Sequence, residues 1–183
     1  QVLAVLHATR GRNEPALLLA PSGHGKSTFL AGVTRVLRDD PKAGRVIAHF
    51  AGASEGSTSI SRVLRAAIDA LWRPDAPPPC GDFAELTSAF HEGLGRHDRV
   101  TLVFDALNEL ESSNGAHSLG WMPEKLPPGC GVLLSAIGGD GDGDGAGDGD
   151  DPSARAVHEV LASLRRRYAL ERGASSVVLL GAL

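Results

Sequence analysis

The side chains best suited to chemistry lie in residues 20–28, which read Ala-Pro-Ser-Gly-His-Gly-Lys-Ser-Thr after an apolar run at residues 16–19. In the pattern GxxxxGK[ST], glycines let backbone N–H groups converge on phosphate oxygens, the lysine reaches the terminal phosphates, and the hydroxyl binds Mg²⁺. Ala20 stands in place of the first glycine, and His24 is expected to point outward. The sequence predicts a phosphate-binding loop with Ser27 as a metal ligand, whose nucleotide-binding residues are Ser22, Gly23, His24, Gly25, Lys26, Ser27 and Thr28.

A second segment, residues 99–111, supplies the acidic partner that a phosphate loop needs. Four of the five residues before Asp105 are apolar, which predicts Asp105 at the end of a buried strand. A carboxylate at that position orders Mg²⁺ and water. We therefore predict that Lys26, Asp105 and Glu109 are catalytic, with Asp105 on Mg²⁺ and Glu109 polarising the attacking water. The alternative for Asp105 is a turn residue or a helix cap.

Short apolar runs alternate with longer helical patterns, which is typical of a parallel sheet built from βαβ units. The predicted strands, each expected to be buried on both faces, are residues 16–20, 45–51, 100–106, 131–137 and 176–180. The predicted helices are residues 26–38, 59–72, 83–94 and 153–168. The expected fold is an α/β, three-layer P-loop NTPase core with a five-stranded, mostly parallel sheet. The 79 residues between Lys26 and Asp105 leave room for an inserted strand, which we assign to residues 45–51.

Composition limits the classes of protein and partner. The 183 residues suffice for one packed domain, and 42% hydrophobic with 22% charged residues is ordinary for a globular protein. The net charge of −4 comes from six aspartates in residues 138–151, without which 18 basic residues face 16 acidic ones. This near balance predicts no nucleic-acid partner, and no apolar run approaches the ~20 residues that span a membrane. Cys80 and Cys130, in Pro/Gly-rich stretches without a CxxC spacing, predict neither a disulfide nor a zinc site and favour a reducing, cytoplasmic location.

Two polar features of the sequence are interpreted as solvent-exposed segments and not as binding sites. Residues 138–151 are predicted to be a disordered Asp/Gly-rich insertion. Their spacing, with Asp140, Asp142, Asp144 and Asp151, partly fits a calcium loop, but no EF-type helix precedes them and Asp151 replaces the usual glutamate. The run 165–167, Arg-Arg-Arg, is interpreted as a solvated helix end rather than an anion-binding site.

Three stretches together resemble a known family: LLLAPSGHGKSTFLA, RVIAHFAGASEGSTSISRVLRAAIDAL and VTLVFDALNELESSNGAHSLGWMPEKLPPGCGVLLSAI. The chain is similar to the NACHT-type nucleotide-binding core of the STAND signalling ATPases, in particular the branch with nephrocystin and telomerase-associated-protein relatives. The resemblance implies a switch that binds Mg²⁺ with ATP or ADP and gates assembly. It further implies, as partners, downstream helical domains of the same chain, other proteins, and further copies in a homo-oligomer.

Several positions depart from the family pattern or carry two interpretations. Asn108 stands where an Asp is common, and Ser135 is either a sensor of the nucleotide or a simple strand-end hydroxyl. His49 matches the family motif, although burial against the sheet explains it equally well. Three hydroxyls after the second strand would sense the γ-phosphate or, in the interpretation we prefer, cap the next helix: Ser54, Ser57 and Thr58.

The favoured function from sequence is a switch module that binds Mg-ATP and hydrolyses it slowly. A degenerate scaffold that binds nucleotide without hydrolysis is the first alternative, because Ala20 and Asn108 both depart from the pattern. A P-loop small-molecule kinase is less favoured, since the sequence offers no convincing acceptor site or basic lid. The sequence contains no Asn-Lys-x-Asp, the motif that reads guanine, so a GTPase is not favoured. Residues 1–183 are expected to form one core, cut from a longer multidomain protein.

Overall fold

The computed structural model describes residues 2–12, 14–137, 152–168 and 177–179. In chain order the elements are α1 (Val2–Arg12), β1 (Pro15–Ala20), α2 (Lys26–Asp39), β2 (Arg45–Phe50), α3 (Ile60–Trp72), α4 (Phe83–Gly95), β3 (Val100–Asp105), β4 (Cys130–Ile137), α5 (Pro152–Tyr168) and β5 (Val177–Leu179). Two short 3₁₀ turns, Leu107–Glu109 and Ser113–Gly115, follow β3. Every predicted element is present with bounds close to those expected. Helix α1 was missed because its sequence carries no clear apolar stripe.

The strands form one sheet in the order β2-β3-β4-β1-β5, and every pairing is parallel. Four strands have six to eight residues, whereas β5 has three and pairs with residues 17–19 at the edge. The predicted parallel α/β architecture is confirmed. The assignment of the inserted strand was wrong: β4 separates β1 from β3, and β2 lies at the edge of the sheet. Edge position also leaves β2 half-exposed rather than covered on both faces.

Each face of the sheet carries its own apolar core, which gives three layers. One core joins Leu6 of α1 and Leu30 of α2 to the sheet, where it includes Leu133 of β4. The other core joins α3, α4 and α5 to the opposite face, where it includes Leu134. Because neighbouring strand residues point to opposite faces, one strand feeds both cores. Because every pairing is parallel, the carboxyl ends of all the strands lie at the same end of the sheet, between the two helical layers.

The segment between β3 and β4 packs into the core that contains α3, α4 and α5. Trp121 is fully buried, lies edge-on to Phe104 at 5.3 Å between ring centroids, and donates its Nε1 hydrogen to Ala116 O at 3.0 Å. The end of α5 is fastened to the same segment. Arg167 donates to Met122 O at 2.6 Å and Tyr168 to Pro123 O at 2.5 Å. The arginine run is thus a solvated helix end only in part, because Arg167 is half-buried and bonded.

Three further expectations concern thiols, membranes and the acidic segment. Both cysteines are free; Cys80 is half-exposed, and Cys130 is buried as the first residue of β4 rather than in a loop. Burial raises the pKa of Cys130 to about 12. Among the described residues, no helix combines the length and apolarity that a membrane crossing requires. Residues 138–151, including the calcium-like spacing, lie outside the described residues.

Candidate functional site

The phosphate-loop residues connect the end of β1 to the start of α2. Gly23 and Gly25 have φ of +79° and +71°, a left-handed backbone that glycine adopts without steric cost. A Cβ on either would meet no atom within 4 Å, so these glycines are required by backbone conformation in an otherwise open loop. Ala20, by contrast, is the last residue of β1 and has ordinary strand geometry. That explains why alanine can replace the first glycine of the pattern.

Lys26 is the first residue of α2, and its side chain folds back over the loop. Its Nζ donates to Ala20 O at 2.9 Å and to Pro21 O at 2.8 Å, and the residue is only 8% exposed. Burial lowers the pKa of Lys26, while the charges of Asp105 and Glu109 oppose that change by favouring the ammonium form. The structure therefore brings the cation and both predicted carboxylates into one electrostatic site.

The hydroxyls and the imidazole of the loop face outward. Ser22, Ser27 and Thr28 are exposed. His24 is also exposed, as predicted, with its Nδ1 3.1 Å from Ser22 O. Ser27 and Thr28 are thus exposed at the first turn of α2, where backbone N–H groups and the helix dipole favour anions.

Asp105 lies at the carboxyl end of β3 and is 2% exposed. One carboxylate oxygen accepts a short hydrogen bond from the Ser135 hydroxyl, and Ser135 Oγ in turn accepts from Ala106 N at 2.9 Å. Ala106 adopts φ 54° and ψ 51°, a left-handed conformation that costs a non-glycine residue roughly 1–2 kcal/mol. The Ser135 hydroxyl compensates by satisfying both groups, so Ser135 is a positioning residue for Asp105.

The 3₁₀ turn Leu107–Glu109 carries Asn108 inward and Glu109 outward. Asn108 is 5% exposed, and its Oδ1 accepts from Ile137 N at 3.2 Å, which joins the turn to the end of β4. Its Nδ2 has no hydrogen-bond partner among the described residues. A neutral amide suits this buried place better than a carboxylate, whose charge would be costly to bury unpaired. The asparagine at position 108 therefore has a local structural reason.

Comparison with known proteins was made by sequence and by structure. No protein-family model matches the chain, and no curated protein matches its sequence. A chain in the structure of Drosophila ORC bound to AT-rich DNA and Cdc6 is similar, with a TM-score of 0.57 and 10% identity over 99% of this chain and 56% of that one. A chain in the GC-rich DNA complex gives 0.54 and 11% over 98% and 56%. This chain thus spans little more than half the length of those it matches.

The fold is P-loop NTPase-like. At such low identity the likeness concerns fold alone. The strand order places the P-loop after β1, the Asp105 segment after β3, and Ser135 on the strand between them. The sequence predicted the strand on which each of these residues lies, but neither that β4 separates β1 from β3 nor that Ser135 and Asp105 are bonded to each other.

The loop between β2 and α3 lies against the residues at the end of β3 and after it. Ala51 N donates to Asp105 O at 3.4 Å, and Thr58 exchanges two hydrogen bonds of 2.9 Å with Glu111. His49 Nε2 lies 2.6 Å from Ser57 O, and burial lowers the pKa of His49. This loop is therefore fastened to the residues that follow β3.

The preferred interpretation of the hydroxyls in that loop was wrong. The N-cap of α3 is Ser59, with no side-chain capping bond, so none of the three predicted hydroxyls caps the helix. Ser57 Oγ instead donates to Ser54 O at 2.6 Å, and Thr58 is bonded to Glu111. Their polar atoms are used to hold the loop in shape.

The donors present fit a magnesium nucleotide better than a bare metal ion. Among the described residues, no three His, Cys, Asp or Glu side chains are grouped so as to hold a metal by themselves. Mg²⁺ usually keeps several waters and takes one or two carboxylates together with substrate phosphates. Asp105 and Ser27 are suitable donors for that arrangement, beside the open glycine loop and the Lys26 ammonium.

Sequence reasoning missed one residue of the site. Gly52, with φ +75°, lies against the Glu109 carboxylate, which a Cβ at position 52 would overlap. Its only signal in the sequence is its place two residues after the apolar run of β2. The pairing with Glu109 depends on tertiary structure and has no local pattern.

Proposed function

We propose that this chain is a nucleotide-binding module that takes Mg-ATP and Mg-ADP and hydrolyses ATP slowly. The observation that carries the proposal is the buried Lys26 ammonium, held on the loop carbonyls and facing the charges of Asp105 and Glu109. A lysine in a simple strand-to-helix turn would gain nothing from this burial. Bound phosphate would replace the two carbonyls as the partner of the ammonium.

Each residue of the site has a separate task in this proposal. The backbone N–H groups of residues 22–28 and the Lys26 ammonium would bind phosphate oxygens, and Ser27 with Asp105 would hold Mg²⁺. When bound, Mg²⁺ neutralises charge on the phosphates. Ser135 keeps Asp105 in position, and Glu109, being exposed at the rim, would accept a proton from water.

The wider role follows from the resemblance to NACHT-type STAND ATPases and is proposed on that ground. The module would be the switch of a cytoplasmic signalling or scaffold protein, in which ATP and ADP favour different arrangements. Its partners would be downstream helical domains, other proteins and further copies of the chain, and neither nucleic acid nor membrane. Residues 1–183 would be the P-loop core of such a protein.

A scaffold that binds nucleotide without hydrolysis is the second candidate. It is favoured by one observation: Asp105 is already engaged by Ser135, and the neighbouring position 108 carries a neutral amide. The site then has fewer free carboxylate oxygens with which to order metal and water. A small-molecule kinase gains no support from the described residues.

The test is calorimetric titration of Mg-ATP, Mg-ADP and Mg-GTP into the wild type, Lys26→Ala and Lys42→Ala. Lys42 is a matched control because it is exposed and lies in the turn before β2, at the amino-terminal ends of the strands and not at their carboxyl ends. Loss of a buried charged contact costs about 2–5 kcal/mol. We therefore expect Lys26→Ala to weaken adenine-nucleotide binding by about 30-fold or more, since 1.4 kcal/mol is tenfold. Lys42→Ala should bind as the wild type does.

The outcomes separate the candidates. Binding that Lys26→Ala weakens to that extent, together with release of phosphate from ATP by the wild type, supports the switch. The same binding without phosphate release supports the scaffold. Undetectable binding to folded wild-type protein contradicts both. Equal weakening by Lys42→Ala would contradict the assignment of the phosphate contact to Lys26.

A further inference from the structure

The contact between Gly52 and Glu109 joins two different connections of the sheet. Gly52 follows β2 with φ +75°, and Glu109 ends the 3₁₀ turn after β3. A Cβ on Gly52 would overlap Glu109 Oε2 and lie 3.7 Å from Glu109 Cδ. The carboxylate therefore occupies the space that any other residue at position 52 would fill.

The charge of the same carboxylate also acts on the Lys26 ammonium. Glu109 is one of two acidic groups whose charge favours the protonated form of Lys26, the other being Asp105. Its own side chain is exposed, so no burial holds it in place. In the structure this exposed carboxylate lies beside Gly52, in the space that a Cβ at position 52 would occupy.

The backbone at Gly52 is itself fixed relative to β3. The preceding residue, Ala51, is buried and its N–H donates to Asp105 O at 3.4 Å. At the far end of the loop, Glu111 N donates to Thr58 O at 2.9 Å. Both ends of the 51–58 loop are thus fastened to the segment that carries Asp105 and Glu109.

We propose that Gly52 is a positioning residue for Glu109: its lack of a side chain lets the carboxylate lie against the loop and face the Lys26 site. This inference rests on the proposed function. A side chain at position 52 displaces the carboxylate without touching the phosphate loop. The turnover of ATP falls while nucleotide affinity stays the same.

Gly56 provides a matched control within the same loop. Its φ is +73°, so alanine there suffers the same backbone strain as at position 52. Its Cβ would overlap the Arg62 side chain, at the guanidinium and Cδ, rather than Glu109. Gly52→Ala and Gly56→Ala therefore share the same backbone strain, and each also displaces one side chain, Glu109 in the first variant and Arg62 in the second.

The experiment measures kcat and KM for ATP, calorimetric Kd for Mg-ADP, and unfolding in urea. The variants are Gly52→Ala, Gly56→Ala, Glu109→Ala and the double variant Gly52→Ala/Glu109→Ala. We expect kcat to fall about tenfold or more in Gly52→Ala, on the scale typical for a displaced general base. The Kd of Gly52→Ala should stay within twofold, and Gly56→Ala should retain wild-type kcat. Adding Gly52→Ala to Glu109→Ala should lower kcat no further.

Unfolding tests the contact independently of any activity. Removing the carboxylate relieves the overlap, so Gly52→Ala should destabilise the Glu109→Ala protein less than it destabilises the wild type. If Gly52→Ala alone does not fold, restoration of folding by Glu109→Ala gives the same support. Equal kcat for the two glycine variants, or additive effects on stability, overturns the inference. Nucleotide binding without hydrolysis by the wild type also overturns it but leaves the proposed binding intact, whereas absence of binding overturns the proposed function itself.

Discussion

At the scale of single residues, the site depends on short polar side chains that satisfy one another. Ser135 Oγ donates to Asp105 and accepts from Ala106 N, so one hydroxyl serves a buried carboxylate and a strained backbone turn. Lys26 similarly donates to two loop carbonyls. Unmade hydrogen bonds of buried groups cost more than made ones contribute, which makes Ser135 more important than its size suggests.

Replacing Ser135 by alanine should reduce stability. The change leaves the Asp105 oxygen and the Ala106 N–H without their partner in a buried place, at a cost of about 1–3 kcal/mol in the free energy of unfolding. Urea unfolding of Ser135→Ala and of the control Ser88→Ala, an exposed serine on α4, measures this difference. Similar free energies for the two variants would show that the hydroxyl does not support the site.

At the scale of elements, the connection from β2 to α3 is held against the segment that follows β3, and a histidine contacts it. His49 is a residue of β2, the strand at one edge of the sheet, and its Nε2 is 2.6 Å from Ser57 O in the loop. Burial lowers the pKa of His49 below its ordinary 6.5. Burial therefore favours the neutral ring in the folded protein, and the hydrogen bond to Ser57 O opposes this effect only in part.

Stability should consequently fall on acidification. As pH drops through about 6.5, the unfolded chain protonates His49 while the folded chain resists, so the stabilisation present above that pH is lost below it. Urea unfolding at about pH 7.5 and about pH 5.5 measures the loss. We expect a smaller loss in His49→Gln than in the wild type, and an unchanged loss in His24→Gln, where the histidine is exposed. An equal loss in His49→Gln and the wild type would refute the assignment.

At the scale of the whole molecule, the sheet separates two apolar cores that β4 shares. Leu133 and Leu134 are adjacent and fully buried, yet the first packs with α1 and α2 and the second with α3, α4 and α5. A three-layer fold of this size is expected to unfold as one unit, because the strands couple the two cores through their backbone.

Truncating a buried leucine on either face of the sheet should therefore lower the stability of both cores. Leu133→Ala and Leu134→Ala should each cost about 2–5 kcal/mol, whereas Val36→Ala, at a side chain 51% exposed on α2, should cost under about 0.5 kcal/mol. Unfolding is followed by circular dichroism and by tryptophan fluorescence. Since Trp121 lies in the core opposite Leu133, a fluorescence midpoint unaffected by Leu133→Ala would mean that the cores unfold separately.

The amino-acid sequence by itself predicted every element except α1, and it indicated which residues form the candidate site. Apolar runs that end in Pro21 and Asp105 predicted strands, and the glycines with Lys26 predicted the phosphate loop, because these signals depend on local backbone chemistry and periodicity. It could not determine the strand order, since residues 45–51 and 131–137 are equally apolar and only packing against both helical layers decides which lies inside. Tertiary structure alone likewise decided that Ser135 meets Asp105 and that Gly52 meets Glu109, because these partners come from different connections and leave no joint pattern in the chain.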